Sequence, residues 1–475
     1  MSNHRFTVFL FLFCSIFSQN VKSEDIRFSD YFQNKTMRVD YFHTGNNVTE
    51  VFAIDRIVND GDWAGSLTQL QDKMNLGLYF FEVIDKGKNQ VIYSRGFASI
   101  FGEWQLTPEA SEYGSFHESI RFPWPLEPFT LVISKRGSDN FFHKIWEKEI
   151  DPNSRFVNRA EPELPFKSWT VIENGDPHYK VDIVVLGDGY RYDQMEKFRA
   201  DVNRLVSELF AVEPFQSRKS DFNVRAVFTP CQQAGINKPH PGVYARTPLS
   251  LTYGAFDSER YVLGFDNRSI REVASLVPYE FMIILVNERT YGGGGIYNLY
   301  STVSADNKFA DYIMVHEFGH QFAALTDEYY SSSVSYEGPS IEIEPWEPNI
   351  TALKDPNNLK WKHLVDPSTP IPTPWNKETF DKFSYQIQIE RHEIRARNEP
   401  EEVMEALFER ERKFETQLIN NMEYTGKVGA FEGAGYNQYG MYRPETDCIM
   451  FTRNRQAFCK VCQEAISKII NLYVQ

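Results

Sequence analysis

Between residues 28 and 152, the chain consists of short apolar or alternating runs that are separated by turn-forming clusters. Residues 36–42, 76–81 and 129–133 are such runs, and the polar cluster 59–62 is one such turn. Alternation with a period of two residues is typical of half-buried antiparallel strands. The pattern therefore predicts an N-terminal β-sandwich domain.

A different pattern begins near residue 177. Residues 181–186 form an apolar run with one polar interruption, and residues 192–210 carry apolar side chains at helical spacing. Two further apolar runs, 222–228 and 281–286, follow along the chain. Strands that alternate with helices predict a second domain of the α/β class.

Residues 331–424 fit neither pattern and are interpreted as an insertion in the second domain. A loop rich in Ser, Pro and Glu opens the segment, and a charged helical stretch follows over 377–423, with Pro400 as the expected break. Acidic and basic residues alternate along this stretch, which favours a solvated helix face with ion pairs. A helix that binds a partner is the alternative interpretation.

Composition and charge narrow the class of protein. The chain has 475 residues, of which 42% are hydrophobic and 15% are aromatic. This content excludes global disorder, and the length indicates two or three domains. The formal net charge is -15, and an acidic surface repels phosphate backbones, so we expect no nucleic-acid partner.

The first residues have the pattern of a secretory signal. His4 and Arg5 precede the almost wholly apolar run 6–17, and residues 21–23 provide a cleavage site. We therefore predict a secreted, extracellular protein that loses residues 1–23. Because this run is too short to span a bilayer comfortably and no other run is long enough, we expect no stable membrane insertion. An uncleaved membrane anchor is the alternative.

Two further features bear on an extracellular chain. The cysteines that remain after the signal are Cys231, Cys448, Cys459 and Cys462. An even number in a secreted protein favours disulfides, so we predict two bridges without assigning their pairing. The Cys459–Cys462 pair alone is a weak zinc or redox motif, because no second paired-cysteine motif completes a four-cysteine cage.

Potential glycosylation sites occur at Asn34, Asn47, Asn267 and Asn349.

The segment His316-Glu317-Phe318-Gly319-His320 carries the strongest candidate chemistry. On a helix, histidines four residues apart lie on one face, where both imidazoles can bind one Zn²⁺ ion. Glu317 lies about 100° round the helix from His316, so its carboxylate can reach a metal-bound water without binding the metal. We predict that His316 and His320 are zinc ligands and that Glu317 is the catalytic base. Two ordinary helix histidines are the alternative.

Catalytic zinc needs a third protein ligand. Residues 321–329 contain no histidine, and Asp327 and Glu328 are the nearby oxygen donors. Asp327 falls close to where short-spacer zinc peptidases place a third ligand, and it is the first candidate. Glu328 is the second, either as a ligand or as an acceptor for a ligand histidine. A pair of solvent-facing acids at a helix end is the alternative.

Residues 316–320 and the following Leu325-Thr326-Asp327-Glu328-Tyr329 resemble the active-site segment of the IgA-peptidase family of zinc metallopeptidases. The region from Met37 resembles the domain that commonly precedes the catalytic domain of this family. Further similar segments cover residues 181–190, 287–298, 428–436, 448–450 and 458–462. The resemblance implies a metzincin-like zincin catalytic domain, with Met450 in the methionine turn below the metal. An ordinary core methionine is the alternative for Met450.

We therefore expect an N-terminal β-sandwich domain and a metzincin-like zincin domain of mixed α+β and α/β character with a helical insertion. The expected division is a signal peptide over 1–23, the β-sandwich over 24–154, a linker over 155–176 and the catalytic domain over 177–475, which includes the insertion 331–424.

Two groups of residues are candidates for binding substrate. The four glycines at 292–295 lack the Gly-Lys-Ser/Thr ending of a phosphate loop. We interpret them as a flexible turn beside the cleft, where backbone can pair with an extended peptide, or as a simple tight loop. Tyr436, Tyr442 and Arg453 are candidate donors to the developing oxyanion, or else packing residues.

The sequence thus predicts a secreted zinc-dependent endopeptidase that acts on a protein or peptide substrate through metal-activated water and a Glu317 base. Two alternatives remain open. One is a secreted binding protein with a structural zinc site, and the other is a metal-dependent amidase acting on sugar or cell-wall substrates.

Overall fold

A computed structural model describes residues 26–332, 338–454 and 457–474. The predicted signal peptide, with Cys14, lies outside these described residues. Within them, no helix has both the length and the apolar character that crossing a membrane requires.

The N-terminal part is β-rich and contains the predicted strands. Its elements are α1 (Phe28–Tyr31), β1 (Phe32–Gly45), β2 (Glu50–Asn59), β3 (Tyr79–Asp85), β4 (Gln90–Phe97), α2 (Ile100–Trp104), β5 (Gly114–Pro125), β6 (Phe129–Arg136), β7 (Phe142–Ile150) and β8 (Val157–Asn158). Two four-stranded sheets form, with the strand orders β5-β1-β2-β8 and β4-β3-β6-β7. Alternate residues of β1, Val39 and Tyr41, are buried in one core with Phe81 and Ile133 of the other sheet. Alternation therefore decides which side chains fill the space between the sheets.

The second domain contains a six-stranded sheet and the longer helices. Its elements are β9 (Lys167–Ile172), β10 (Val181–Asp188), α3 (Met195–Leu209), β11 (Phe222–Phe228), β12 (Leu251–Thr252), β13 (Leu263–Gly264), α4 (Asn267–Ala274), β14 (Phe281–Val286), β15 (Gly293–Ile296), β16 (Tyr300–Ser304), α5 (Ala310–Ala323), α6 (Lys377–Ala396), α7 (Glu401–Asn420), β17 (Phe431–Ala434), β18 (Asn437–Arg443) and α8 (Lys460–Tyr473). The sheet order is β15-β16-β14-β10-β11-β9, and only the edge strands β9 and β15 run antiparallel to their neighbours.

Both faces of this sheet are covered, which explains why β10 is an almost continuous apolar run. Ile183 and Val185 lie in one core with residues of α3, α5 and α8. Val184 and Leu186 lie in a second core with residues of α4 and with Phe101 of α2. A parallel sheet buried on both faces needs apolar side chains at successive positions. Through α2, the N-terminal domain helps to form the core of the second domain.

The predicted linker over 155–176 contains two paired strands. β8 joins the first N-terminal sheet beside β2, and β9 forms an edge of the six-stranded sheet beside β11. The polar composition and the prolines of this segment do not indicate strands. An edge strand needs backbone hydrogen bonds on one side only, and its side chains can be polar.

The insertion contains the predicted helices, α6 and α7, with Pro400 at the start of α7. The inward face of α7 is not solvated as expected, because Glu405 and Glu411 are buried. Arg289 donates to Glu405 at 3.1 Å, and Arg453 donates to Glu411 at 2.6 Å. Some charged side chains of α7 therefore face solvent, and others form ion pairs with the rest of the domain.

Two of the four potential glycosylation sites are inaccessible in the folded protein. Asn267 and Asn349 are buried, whereas Asn34 and Asn47 are exposed. An attached glycan needs space outside the protein, so the expectation of glycosylation is retained for the two exposed sites only.

Candidate active site

Helix α5 carries the His-Glu-x-x-His segment across the sheet. The helix ends where Ala324 adopts left-handed backbone angles, with φ 53° and ψ 32°. The amides of Ala324 and Leu325 then donate to the carbonyls of His320 and Gly319, which satisfies the last turn. This reversal returns the chain toward the histidines and brings Asp327 beside them.

Three side-chain atoms converge at this point. His316 Nε2 and His320 Nε2 lie 3.2 Å apart, and they lie 3.0 Å and 3.3 Å from Asp327 Oδ1, respectively. Nitrogen or oxygen ligands of a tetrahedral zinc ion, with bonds of about 2.0–2.1 Å, are about 3.3 Å apart. The spacing of the three atoms therefore fits three ligands of one divalent ion, as His316, His320 and Asp327 were predicted to be.

The hydrogen bonds of the histidines orient them for a metal. His316 Nδ1 donates to the Ile449 carbonyl at 2.9 Å, and His320 Nδ1 donates to the Leu325 carbonyl at 2.5 Å. Because a carbonyl only accepts, each ring keeps its proton on Nδ1 and presents the Nε2 lone pair. Asp327 Oδ1 is buried, and no donor among the described residues forms a hydrogen bond with it. These residues fit a divalent cation, which would satisfy all three acceptors.

The charges of the site agree with this assignment. Burial lowers the pKa of His320, but the Asp327 carboxylate outweighs burial and raises that pKa to about 9. Burial would raise the pKa of Asp327, but the two histidines hold it well below its usual value. The cluster thus attracts a positive charge, for which a proton and a metal ion compete. Burial also raises the pKa of Glu317, against the opposing effect of both histidines.

Glu328, the second candidate for the third ligand, belongs to a different cluster. Its Oε1 accepts from Asn349 Nδ2 at 3.0 Å and lies 3.4 Å from Cys462 Sγ. Its side chain therefore faces a group of cysteines, whereas Asp327 faces His316 and His320.

The prediction of two disulfides is wrong. All four described cysteines are free thiols. Cys448 Sγ and Cys462 Sγ lie 3.8 Å apart, against about 2.05 Å for a disulfide bond. Cys231 stands apart from the others, and its thiol contacts the carbonyls of Tyr190 and Gln233. An even count of cysteines does not distinguish bridges from a thiol cluster.

A turn lies beneath α5. Phe451 N donates to the Cys448 carbonyl at 2.8 Å, which closes the turn at Met450. Met450 is fully buried, and a Cβ on Gly319 would lie 3.1 Å from its Sδ. Glu328 N donates to the Met450 carbonyl at 2.8 Å. The turn thus supports both the helix that carries the histidines and the segment that carries Asp327.

The three candidate oxyanion donors lie in different places. The Tyr436 hydroxyl donates to Asp327 Oδ2 and lines the cavity above Glu317 and the histidines. Tyr442 lies in β18, where its amide donates to the Thr351 carbonyl, and it does not line this cavity. Arg453 is bound to Glu411 on α7 and also lies outside the cavity lining. Tyr436 is therefore the one of the three that the fold brings to the site.

Residues that the sequence did not indicate also reach the site. Arg260 Nη2 donates to the Tyr329 hydroxyl at 3.3 Å, and the Tyr329 ring is nearly parallel to that of His316. Glu103, from the N-terminal domain, accepts from the Tyr261 hydroxyl, and burial raises its pKa to about 7. Tyr329 stands in the motif itself, but no sequence signal links Glu103 or Arg260 to it.

The cavity over these residues has a volume of about 490 Å³, within the range of about 300–1,000 Å³ typical of ligand sites. Both domains form its walls. The N-terminal domain contributes residues that include Leu78, Ser99, Glu103, Leu106, Arg136 and Asn140. The second domain contributes Gly293, Gly295, Arg260, His316, Glu317, His320, Asp327, Tyr329 and Tyr436, among others.

Comparison with known families gives two matches. The profile described as IgA Peptidase M64 matches residues 170–470, and the profile described as Peptidase M64 N-terminus matches residues 27–147. No curated protein matches the chain. The first match covers more than half of the chain and contains the whole α5 site. A peptidase implies a protein or peptide substrate. The chain therefore belongs to the IgA peptidase M64 family of metallopeptidases.

Proposed function

We propose that this protein is a secreted zinc-dependent endopeptidase. One observation carries the proposal. His316 Nε2, His320 Nε2 and Asp327 Oδ1 lie 3.0–3.3 Å from one another, on the wall of a cavity that Glu317 also lines. Two imidazoles, one carboxylate and an adjacent acid are the parts that metal-assisted hydrolysis of an amide needs.

Glu317 acts as the base in this proposal. His316, His320 and Asp327 would hold the zinc ion, which, when bound, would supply a water of lowered pKa and a polarised peptide carbonyl. Glu317 accepts a proton from the attacking water and then delivers it to the departing amine nitrogen as the peptide bond breaks. Burial raises the pKa of Glu317, which suits a group that must both accept and release a proton near neutral pH.

Tyr436 and Arg260 are the proposed groups around the reacting carbonyl. The Tyr436 hydroxyl donates to Asp327, so it holds the ligand carboxylate. Arg260 contributes a positive charge to the same wall. The Arg260 guanidinium in this partly closed cavity favours negative charge on a carbonyl oxygen, which is the charge that amide hydrolysis develops, while the Tyr436 hydroxyl, whose proton goes to Asp327, positions that ligand.

The arrangement supports a metzincin-like assignment. A helix with two histidines ends in a chain reversal at Ala324, and the turn at Met450 lies beneath it. The buried thioether lies so close to α5 that a Cβ added to Gly319, the residue before His320, would be 3.1 Å from its Sδ. This apolar floor restricts movement of the ligands, which is the role that we assign to Met450.

The edge of the six-stranded sheet supports binding of an extended peptide. Three of the four glycines expected in a flexible turn, Gly293 to Gly295, lie in the edge strand β15, which pairs with β16 on one side. Arg260 and Val262 exchange backbone hydrogen bonds with Gly293 on its outer side, and Gly295 continues the strand along the cavity. A substrate strand that adds to this edge would lie beside Glu317.

Metal analysis and a peptide-library digest test the proposal. The purified protein is expected to contain zinc, to cleave peptides and to lose that activity reversibly with a chelator. A parallel panel of glycan amides controls for amidase activity. Cleavage that survives complete metal removal, or activity on glycan amides alone, would contradict an endopeptidase.

Secretion rests on the first residues of the sequence. Expression of the full chain in a secreting host is expected to yield a mature protein that begins after Ser23. N-terminal sequencing of the exported protein measures the cleavage site. An exported protein that retains residues 1–23 would instead support an uncleaved anchor.

A further inference from the structure

Four side chains that the peptidase chemistry does not use meet behind α5. They are Glu328, Cys448, Cys459 and Cys462, here named the cysteine–glutamate cluster. None of the four is more than 3% exposed. Each residue offers one ligand atom, and these four atoms all lie within 4.8 Å of one another.

The distances in the cluster match a tetrahedral metal site. Cys448 Sγ lies 3.8 Å from Cys462 Sγ, and Glu328 Oε1 lies 3.4 Å from Cys462 Sγ and 3.9 Å from Cys459 Sγ. Zinc bonds of about 2.3 Å to sulfur and 2.0 Å to oxygen imply sulfur–sulfur distances of about 3.8 Å and sulfur–oxygen distances of about 3.5 Å. The sulfurs are too far apart for a bond between them, but they have the separation that a shared ion requires.

Backbone amides donate to two of the three sulfurs. Cys459 N donates to Cys448 Sγ at 3.2 Å, and Cys462 N donates to Cys459 Sγ at 3.4 Å. Cys459 is also the N-cap of α8, so the positive end of the helix dipole lies at the cluster. Amide donors and a helix N-terminus stabilise sulfur in the charged form that binds metal.

One oxygen of the Glu328 carboxylate is unpaired among the described residues. Glu328 Oε1 accepts from Asn349, whereas no described group donates to the buried Oε2. A buried carboxylate among three sulfurs is costly unless a cation balances it. A dication at the centre of the cluster would compensate the charge of Glu328 and of the thiolates together.

We propose that Glu328, Cys448, Cys459 and Cys462 bind a second zinc ion with a structural role. Thiolates select soft or borderline ions, and a tetrahedral, sulfur-rich set suits zinc. Four protein ligands fill all positions and admit no water, which is the mark of a structural rather than a catalytic site. This inference does not depend on the proposed peptidase activity.

The second ion would connect the parts that hold the active site. Glu328 directly follows Asp327, and Cys448 directly precedes Ile449, whose carbonyl accepts from His316. The remaining ligands, Cys459 and Cys462, belong to the first turn of α8. The ion would thus fix the positions of Asp327 and of the Ile449 carbonyl that accepts from His316.

Cobalt substitution separates the two sites. The active-site variant His316→Ala/His320→Ala removes the predicted catalytic ligands and leaves the cysteine–glutamate cluster intact. Reconstituted with Co²⁺, this variant is expected to retain about one ion per chain, with thiolate-to-cobalt charge-transfer absorption in the near ultraviolet. Zinc analysis of the intact protein is expected to give about two ions per chain.

Cysteine variants supply the matched comparison. Cys459→Ser/Cys462→Ser is expected to lose the charge-transfer band and about one zinc ion, whereas Cys231→Ser, outside the cluster, keeps both. If the double cysteine variant does not fold, the metal content and cobalt spectrum of the histidine variant still test the proposal. No charge-transfer band and no metal in the folded histidine variant would overturn the proposal, as would a disulfide among these cysteines in the protein isolated without reductant.

Discussion

Two neighbouring acids, Asp327 and Glu328, belong to two different clusters of side chains in this protein. Asp327 faces His316 and His320, and Glu328 faces the cysteine–glutamate cluster. Both residues lie beyond the helix end at Ala324, in a segment without regular secondary structure. The chain reversal thus allows one short segment to contribute a carboxylate to each side of the turn at Met450.

At the residue scale, Glu317→Gln tests the base. The amide keeps the shape of the side chain but cannot accept a proton, so peptide cleavage is expected to fall by about 10²- to 10⁴-fold. Zinc content is expected to remain unchanged, because Glu317 is not a ligand. Cleavage rates and metal analysis measure both effects. The exposed Glu196→Gln is the matched control, and unimpaired cleavage by Glu317→Gln would refute the base assignment.

Tyr436→Phe tests the hydroxyl that holds Asp327. Loss of a hydrogen bond to a charged group, which is worth about 1.5–3 kcal/mol, is expected to lower kcat about tenfold or more. Tyr442→Phe, which removes a hydroxyl outside the cavity, is the control and is expected to retain the parent rate. Steady-state kinetics distinguish the two variants. Equal rates for both would remove Tyr436 from the mechanism.

At the element scale, the glycine strand matters for packing as well as for pairing. A Cβ on Gly295 would lie 2.2 Å from the Glu317 carbonyl oxygen and 2.9 Å from His320 Cβ. The absence of side chains therefore allows β15 to lie directly against α5. The glycines at 292–295 are interpreted from the sequence as a flexible turn or a tight loop, yet pairing with β16 makes residues 293–296 a strand.

Gly295→Ala tests this close approach. Because backbone rather than a flexible side chain stands in the way, the variant is expected to lose about 1–3 kcal/mol of unfolding free energy. Denaturant titration measures the loss. Gly87→Ala is the control, since the nearest atom to its added Cβ is a side-chain oxygen 3.4 Å away. Equal stability of Gly295→Ala and the parent protein would show that α5 and β15 are not packed as described.

At the scale of the whole molecule, the two domains share a core and a cavity. Phe101 and Trp104 of α2 are buried in one cluster with Leu186 and Ile284 of the six-stranded sheet. Glu103, on the same helix, lines the cavity. The N-terminal domain therefore forms part of the wall of the cavity over the candidate site.

Phe101→Ala tests the shared core. Removing this fully buried ring is expected to cost about 3–5 kcal/mol, because a cavity remains at the contact between the domains. Thermal unfolding measures the cost, and the exposed Phe156→Ala serves as control. A loss confined to an N-terminal transition, with the second domain unfolding as before, would contradict a common core.

Local patterns of the sequence determined the elements and two of the three candidate metal ligands. Apolar runs at 222–228 and 281–286 became β11 and β14 with the predicted ends, and helical spacing after residue 192 became α3. Such periodicities depend on neighbours along the chain, so the sequence contains them directly. The same holds for His316, Glu317 and His320, whose relation needs only one turn of helix.

Only the tertiary structure decided which distant groups meet. The chain reversal at Ala324 placed Asp327, rather than Glu328, beside the histidines. Cys462 contacts Glu328, which is 134 residues away in the sequence, instead of forming a disulfide. Glu103 reached the cavity through packing between domains, with Tyr261, 158 residues away, as its partner. Such contacts follow from how whole elements bury their apolar faces, and no short window of sequence contains that information.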